Sequence, residues 1–229
     1  MTQPDIWEKI LASLDIEVDV VMYVRPQISV LNSAWWQWGA WSGEPFNDWM
    51  RNHLKHTLWA SYVEKWKKLG HVKSLSVRPV PADITIDFYE TVLQVPVPSE
   101  LPPANPSLPG PLLRLFQRNR LLRPNMHDSA IDFSLSDQLN MKSSSIWVLD
   151  MNFMQSIIDM TRDDNELLLT LMTDNCAKSV REDAKWWSVA AFSKFHAESP
   201  SPQTIPADTL EQMCVELAQV IHRLRKAAK

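Results

Sequence analysis

The residues that could do chemistry are few, and their spacing does not assemble a catalytic or metal site. His53 and His56 lie three positions apart in a predicted helix, a spacing that lets two imidazoles face one metal ion. No third ligand accompanies them in the sequence. Cys176 and Cys214 fall in separate helical patterns without the spacing of metal ligands. We therefore expect no metal, no cofactor and no catalytic residue.

Other reactive groups lead to the same expectation. A thiol nucleophile would need a histidine nearby, and the candidates are His196 and His222. The adjacent acids at 163–164 and 182–183 suit the start of a helix better than a general acid–base pair. Only 4 glycines occur in 229 residues, so glycine-rich phosphate-binding loops are not expected. These features favour a non-enzymatic protein.

One short segment concentrates positive charge. Residues 112–123 contain Arg114, Arg118, Arg120 and Arg123 and no acid, whereas the whole chain has a net charge of −4. Guanidinium groups bind phosphate well, so one hypothesis is a contact with nucleic acid or another anion. The interpretation that we favour is that these arginines pair with acidic side chains of the C-terminal half.

Tryptophan is concentrated between residues 34 and 70, which hold seven of the 11 in the chain. Trp35, Trp36, Trp38 and Trp41 precede a pattern in which Ser42 is predicted to cap one helix that runs to residue 70. Large indoles commonly fill a core, which is the favoured interpretation. The alternative is an aromatic surface for a protein partner, with these four tryptophans as predicted contacts.

Periodicity predicts the elements around this segment. A helix is expected over 4–14, with Trp7, Ile10, Leu11 and Leu14 on one face. Alternation of apolar and polar residues predicts strands over 15–25, 71–80 and 83–95. A small sheet beside the tryptophan-rich helix is therefore expected.

Proline divides the chain. Residues 96–111 contain seven prolines, which exclude helices and central strands. This segment is predicted as a linker or surface strap between a tryptophan-rich α+β region, 1–95, and a helical region, 112–229. The expected fold class is mainly α with a small β element.

The C-terminal region shows several helical patterns. Ser145 is predicted to cap the first, residues 162–165 to interrupt it, and a capping box at Ser179 and Glu182 to open another helix that runs through Phe195. A further acidic cap at Asp208 is expected to begin the last helix.

The last helix carries a narrow apolar seam of the coiled-coil kind. Packing onto its own domain is the default, and docking onto another subunit is the alternative. In that alternative the predicted partner contacts are Leu210, Met213, Leu217, Ile221 and Leu224.

These patterns together predict a non-enzymatic cytoplasmic adaptor or assembly subunit that works through protein–protein contacts in a larger complex. The first residues show no basic leader followed by an apolar segment, and no run of about 18 apolar residues occurs, so no membrane span is expected. The second hypothesis is a nucleic-acid-associated subunit of a nucleoprotein complex that uses the Arg114–Arg123 segment.

Overall fold

The structure is a computed structural model that describes residues 4–99, 108–128, 135 and 146–227. Within those residues the fold is mainly helical with a small parallel sheet, which confirms the predicted fold class. In chain order the α-helices and strands are α1 (Pro4–Leu14), β1 (Val18–Val24), α2 (Gln27–Ala34), α3 (Ala40–Ser42), α4 (Phe46–Leu54), α5 (Trp59–Lys67), β2 (Val72–Pro79), α6 (Ile84–Ile86), α7 (Gly110–Arg118), α8 (Met151–Thr170), α9 (Asp174–Glu182) and α10 (Ala207–Ala227). In addition, π-helical segments cover Trp35–Gly39 and Asp87–Val92, and 3₁₀ turns cover Lys55–Thr57, Ala184–Trp186 and Val189–Phe192.

The chain forms two compact units. The first comprises Met1–Leu31, Met50–Leu101 and Asp150–Lys194, and the second comprises Asn32–Trp49, Pro102–Leu149 and Phe195–Lys229. Each unit is built from three separate stretches, whereas the regions predicted from the sequence are continuous. Residues 100–107 of the predicted linker lie outside the described residues, so the linker stays a prediction.

The sheet of the first unit joins β1 and β2 in parallel, from Val18 opposite Val72 to Val24 opposite Pro79. Parallel neighbours require a crossover, because the chain must return to the same end of the sheet before the second strand begins. The last helix of this crossover, α5, packs against both β2 and α8. The strands predicted over 15–25 and 71–80 are thereby confirmed.

One cluster in the core of the first unit joins buried side chains from both strands, three helices and the turn after α9. Its members are Val24, Trp59, Ala60, Val63, Val77, Leu168, Leu169, Ala177, Val180 and Trp186. Burying an aliphatic side chain of this size contributes roughly 1.5–3 kcal/mol. Two members of the cluster, Trp59 and Trp186, are tryptophans, so indoles help to hold the sheet against the helices.

The predicted strand over 83–95 is wrong, because this stretch is helical. The Asp83 carboxylate accepts hydrogen bonds from the amides of Thr85 and Ile86, at 2.8 and 3.1 Å, and so caps α6. The apolar residues that suggested a strand, Ile84 and Ile86, are exposed. Local capping therefore overrides the alternating pattern here.

The single helix predicted to run from Ser42 to residue 70 is also wrong. The Ser42 hydroxyl donates to the carbonyl of Gly39 at 2.8 Å and thus closes the preceding turn. The amides of Asp48 and Trp49 instead donate to the carbonyl of Pro45, which begins α4. The helix is interrupted at Leu58, whose φ of −77° and ψ of 87° are not helical.

The restart at α5 depends on a residue far along the chain. The carboxylate of Asp164, in α8, accepts hydrogen bonds from the amides of Ala60 and Ser61 at 3.0 and 3.2 Å. These amides have no partner within their own helix, so the distant carboxylate serves as the missing cap.

Several boundaries predicted in the C-terminal region are wrong. Ser145 lies outside the described residues, and Asp150 caps α8 by accepting from the amide of Phe153 at 2.7 Å. The predicted break at 162–165 does not occur, because α8 continues through it. The Ser179 hydroxyl donates to the carbonyl of Asn175 within α9, which ends at Glu182 rather than beginning there.

The second unit contains Asn32–Trp49, which we call the tryptophan segment, together with α7, an extended stretch before α8, and α10. The Asn32 side chain donates to the carbonyl of Ile146 and accepts from the amide of Val148, at 3.2 and 2.9 Å, much as a neighbouring strand would. Pro111 lies in the first turn of α7, where a backbone amide has no acceptor within the helix, so the missing N–H of proline costs no hydrogen bond. This unit carries most of the residues predicted as functional.

Candidate functional site

The tryptophan segment is packed too closely to admit any side chain at Gly39. A Cβ there would lie 2.3 Å from a ring carbon of Trp35 and 2.8 Å from the ring of Trp49. The Trp35 ring meets Phe46 and Trp49 edge to face, with centroids 5.0 and 5.6 Å apart. Such aromatic pairs add stability beyond the area they bury. The segment is therefore a rigid packed element.

Burial separates the four tryptophans that were predicted as partner contacts. Trp35, Trp36 and Trp41 are at most 6% exposed, whereas Trp38 is 41% exposed. The indole N–H of Trp36 donates to the carbonyl of Ile146, and that of Trp41 donates to the carbonyl of Trp36. The core interpretation holds for three of these residues, and Trp38 alone among them presents its ring to solvent.

Arg114, predicted as an anion contact, is buried and uses its guanidinium within the second unit. It pairs with Glu198 at 3.2 Å and donates to the carbonyls of Ser199 and Ser201 at 2.7 and 2.9 Å. Its guanidinium carbon also lies 5.2 Å from the centroid of the Trp36 ring. The favoured pairing of this segment with C-terminal acids is thus observed at Glu198, although most of its partners are carbonyls.

Arg120 and Arg123 bind backbone carbonyls of the tryptophan segment. Arg120 donates to the carbonyl of Ala40 at 2.9 Å, and Arg123 donates to the carbonyl of Gln37 at 2.7 Å. Ala40 lies in the last turn before Gly43, where helix carbonyls lack partners in the helix, so the guanidinium of Arg120 is a suitable cap. Both cations also lie over the ring of Trp41, at 5.3 and 4.3 Å from its centroid.

The arginine segment therefore works largely as an internal brace. Arg114 and Arg123 are buried, whereas Arg118 and Arg120 are exposed. The sequence carried no signal for the contacts of Arg120 and Arg123, because the carbonyls that they bind lie about 80 residues away in the chain. A nucleic-acid contact stays a prediction that only Arg118 and Arg120 could serve from the surface.

The structure describes the histidines and cysteines that were considered as metal ligands. The rings of His53 and His56 meet edge to face with centroids 5.7 Å apart, and burial lowers the pKa of His56. Cys176 is buried and Cys214 is exposed. Across the described stretches, no group of three or more histidines, cysteines, aspartates and glutamates is placed to hold a metal ion.

A polar cluster that the sequence did not reveal lies at the carboxyl end of the sheet. Tyr23 and Arg78 are opposite each other in the strand register, and Asp87 accepts from the Tyr23 hydroxyl at 2.6 Å and from two Arg78 nitrogens at 2.8 and 2.7 Å. It was missed because Asp87 was assigned to a strand.

The electrostatics of this cluster favour a structural role. Hydrogen bonding to Arg78 is the main cause that lowers the pKa of Asp87. Burial, followed by the hydrogen bond to Asp87, raises the pKa of Tyr23 to about 12. A phenol with so high a pKa is a poor general base at neutral pH. The three groups instead tie the Asp87–Val92 segment to the strands.

A small pocket adjoins the tryptophan segment in the second unit. Trp35, Phe46, Arg120 and Pro200 are among its lining residues, and its volume is about 200 Å³. Sites for drug-sized ligands usually measure roughly 300–1,000 Å³. The pocket therefore fits no more than a fragment of such a ligand, and the Arg120 side chain already binds a carbonyl.

The last helix, α10, buries very little of its apolar surface. Among its described side chains only Met213 and Val220 are buried. Leu210, Cys214 and Ile221 are exposed and Leu217 is half-buried. These four residues recur at spacings of four, three and four, so they share one face. We call them the α10 stripe.

The predicted seam therefore combines two faces of the helix. Met213 belongs to the buried face, whereas Leu210, Leu217 and Ile221 belong to the stripe. The side chain of Leu224 lies outside the described residues. Val215 is as exposed as Ile221, at 51% against 57%, but it projects from a different side of the helix.

A second exposed apolar face lies on α1. The helix was predicted correctly, but of its predicted apolar face only Leu11 is buried, while Trp7, Ile10 and Leu14 are exposed. This helix has 11 residues against 21 in α10. A pairing along its length would therefore bury less area than one along α10.

Comparison with protein-family models, with curated proteins and with solved structures finds no match to this chain.

Function must accordingly be inferred from the surfaces that the described residues expose. In the part of the chain that the structure describes, no helix is both long and apolar enough to cross a membrane. The α10 stripe is the longest exposed apolar helix face among the described helices, and it is the site on which we base a function.

Proposed function

We propose that this protein is a non-enzymatic cytoplasmic adaptor or assembly subunit that acts through protein–protein contacts. The observation that carries the proposal is the α10 stripe, a row of apolar residues along a helix of 21 residues that the rest of the described chain leaves exposed or, at Leu217, half-buried. A helix with one apolar face normally covers that face by packing. A partner helix or groove would provide the missing cover.

The energy available from such a contact is substantial. Leu210 and Ile221 are 38% and 57% exposed, and removing the remaining apolar area from water contributes roughly 25 cal/mol for each Å². Each of these side chains could thus add about 1–2 kcal/mol to association. The energy of apolar burial does not depend on direction, so the spacing of the apolar residues along the stripe would select a helical partner.

Trp38 is a second predicted contact that supports the proposal. Exposed tryptophan side chains are enriched among the residues that dominate protein interfaces, and Trp38 lies on a segment held rigid by Gly39 packing and by Arg123. Trp35, Trp36 and Trp41 would act indirectly, because their burial fixes the shape of the segment that presents Trp38.

The proposal is tested by a substitution that introduces one charged side chain into the stripe. Full-length tagged protein is used to recover partners from a native lysate, with Ile221→Asp compared against the unaltered chain. An aspartate in an apolar contact leaves a buried charge without a partner, so recovery should fall by at least about tenfold.

Val215→Asp is the matched control, because it places the same charge at a similarly exposed aliphatic position on another side of α10. It should leave recovery unchanged. Circular dichroism of both variants checks that the helix is retained. If Ile221→Asp recovers partners as well as the unaltered chain does, the stripe is not the surface that binds them.

A further inference from the structure

We infer that the α10 stripe pairs with the same stripe of a second copy of this chain, with the two helices antiparallel. The inference rests on the proposed function, since it names the partner of the surface proposed there. A two-fold axis would make the interface self-complementary, which is the commonest symmetry of protein dimers.

The charges of α10 point to this partner. Its first half carries Asp208, Glu211 and Glu216, and its second half carries Arg223, Arg225 and Lys226. The helix macrodipole accounts for this order within one helix. The same order makes two antiparallel copies complementary, whereas two parallel copies would bring acids beside acids and bases beside bases.

The positions of two of these charges define a register. Glu211 and Arg225 are both exposed and lie fourteen residues apart, which is two heptads, so they project from the same flank of the stripe. Ala218 lies midway between them and is exposed. An antiparallel pair centred near Ala218 would place Glu211 of each copy beside Arg225 of the other, and the small side chain at the centre would let the helices approach.

The same register places the apolar residues together. Leu217 and Ile221 of the two copies would surround the centre, while Met213 and Val220 stay buried as they are in one copy. One helix pair buries less area than the about 1,600 Å² of a standard stable interface. We therefore expect a reversible dimer with a dissociation constant of about 1–100 µM.

Charge exchange tests the arrangement. Sedimentation equilibrium of the full chain over a concentration series should show a monomer–dimer equilibrium. Glu211→Arg alone and Arg225→Glu alone should each weaken association roughly tenfold or more, because both contacts in the symmetric pair become repulsive. The double variant E211R/R225E, and an equimolar mixture of the two single variants, should both recover association.

Cys214 gives an independent test of direction. In the antiparallel register the two Cys214 positions are about 12 Å apart along the axis, from eight residues at 1.5 Å each, which is too far for a disulfide. Parallel helices would bring them to the same height. Mild oxidation of the unaltered dimer should therefore yield no Cys214–Cys214 cross-link.

Three outcomes overturn the inference: a chain that stays monomeric at high concentration, single variants that dimerise like the unaltered chain, or a rapid Cys214 cross-link. They are distinguishable from failure of the proposed function. If the chain is monomeric yet Ile221→Asp still loses a partner that Val215→Asp retains, the stripe binds another protein and only the inference falls.

Discussion

Replacing Gly39 by alanine should destabilise the protein through the packing of two indoles. The added Cβ would lie 2.3 Å from a Trp35 ring carbon and 2.8 Å from the Trp49 ring, whereas unstrained carbon contacts are about 3.5–4.0 Å. One or both rings must therefore move by about 1 Å. Each ring is almost fully buried and meets another aromatic ring edge to face, so neither can move without losing contacts.

Two effects of opposite sign set the magnitude. Alanine is favoured over glycine within a helix by about 1 kcal/mol, and Gly39 has helical φ and ψ of −60° and −45°. Overpacking a filled core costs typically about 1–3 kcal/mol and sometimes more. Because the overlap here exceeds 1 Å on the nearer ring, we expect the packing cost to win and the free energy of unfolding to fall by about 1–3 kcal/mol.

Urea unfolding followed by tryptophan fluorescence and by circular dichroism measures this change. Gly70→Ala is the matched control, since its Cβ would meet only the flexible carboxylate of Glu8 at 3.4 Å. That variant should change stability little. A Gly39→Ala variant as stable as the unaltered chain would refute the description of Trp35 and Trp49 as a rigid pair.

Further predictions concern the arginine brace and the cluster at the end of the sheet. Arg123→Lys should lower the free energy of unfolding by about 1–3 kcal/mol, because lysine cannot both bind the Gln37 carbonyl and stack on an indole. Arg118→Lys, at an exposed site, should change the free energy of unfolding by no more than about 0.5 kcal/mol. Equal urea midpoints for the two variants would contradict the brace. The raised pKa of Tyr23 means that the folded state holds its proton more tightly than the unfolded state, so this stabilisation is complete below pH 10.0 and is lost as pH rises to about 12. Tyr23→Phe should flatten that alkaline loss in unfolding titrations, and an unchanged profile would show that Tyr23 is not its source.

The arginine segment shows how one pattern supports two different functions until its partners are known. Four arginines without an acid in twelve residues are consistent with phosphate binding. In the folded chain, Arg114 binds carbonyls of Ser199 and Ser201, and Arg123 binds the carbonyl of Gln37. These groups are used inside the second unit, and they hold in place the segment that presents Trp38.

The sequence determined the elements whose stability is local. The helix over 4–14, the final helix and the two strands were all predicted from periodicity, because a repeat of 3.6 or of two residues is a property of neighbouring side chains. The burial of most indoles in 34–70 followed from their size. The mainly helical fold with a small sheet was also implied by these patterns.

Only the tertiary structure decided the features whose partners are distant in the chain. The restart of α5 depends on Asp164, more than 100 residues from the amides that it caps. Helix α8 continues through Asn165, and the side chain of this residue forms hydrogen bonds with Gln27 and with the carbonyl of Trp186. The division of α10 into a buried face and an exposed stripe likewise depends on what packs against it. Periodicity reports that a helix has an apolar face, but only packing determines which part of that face is left for a partner.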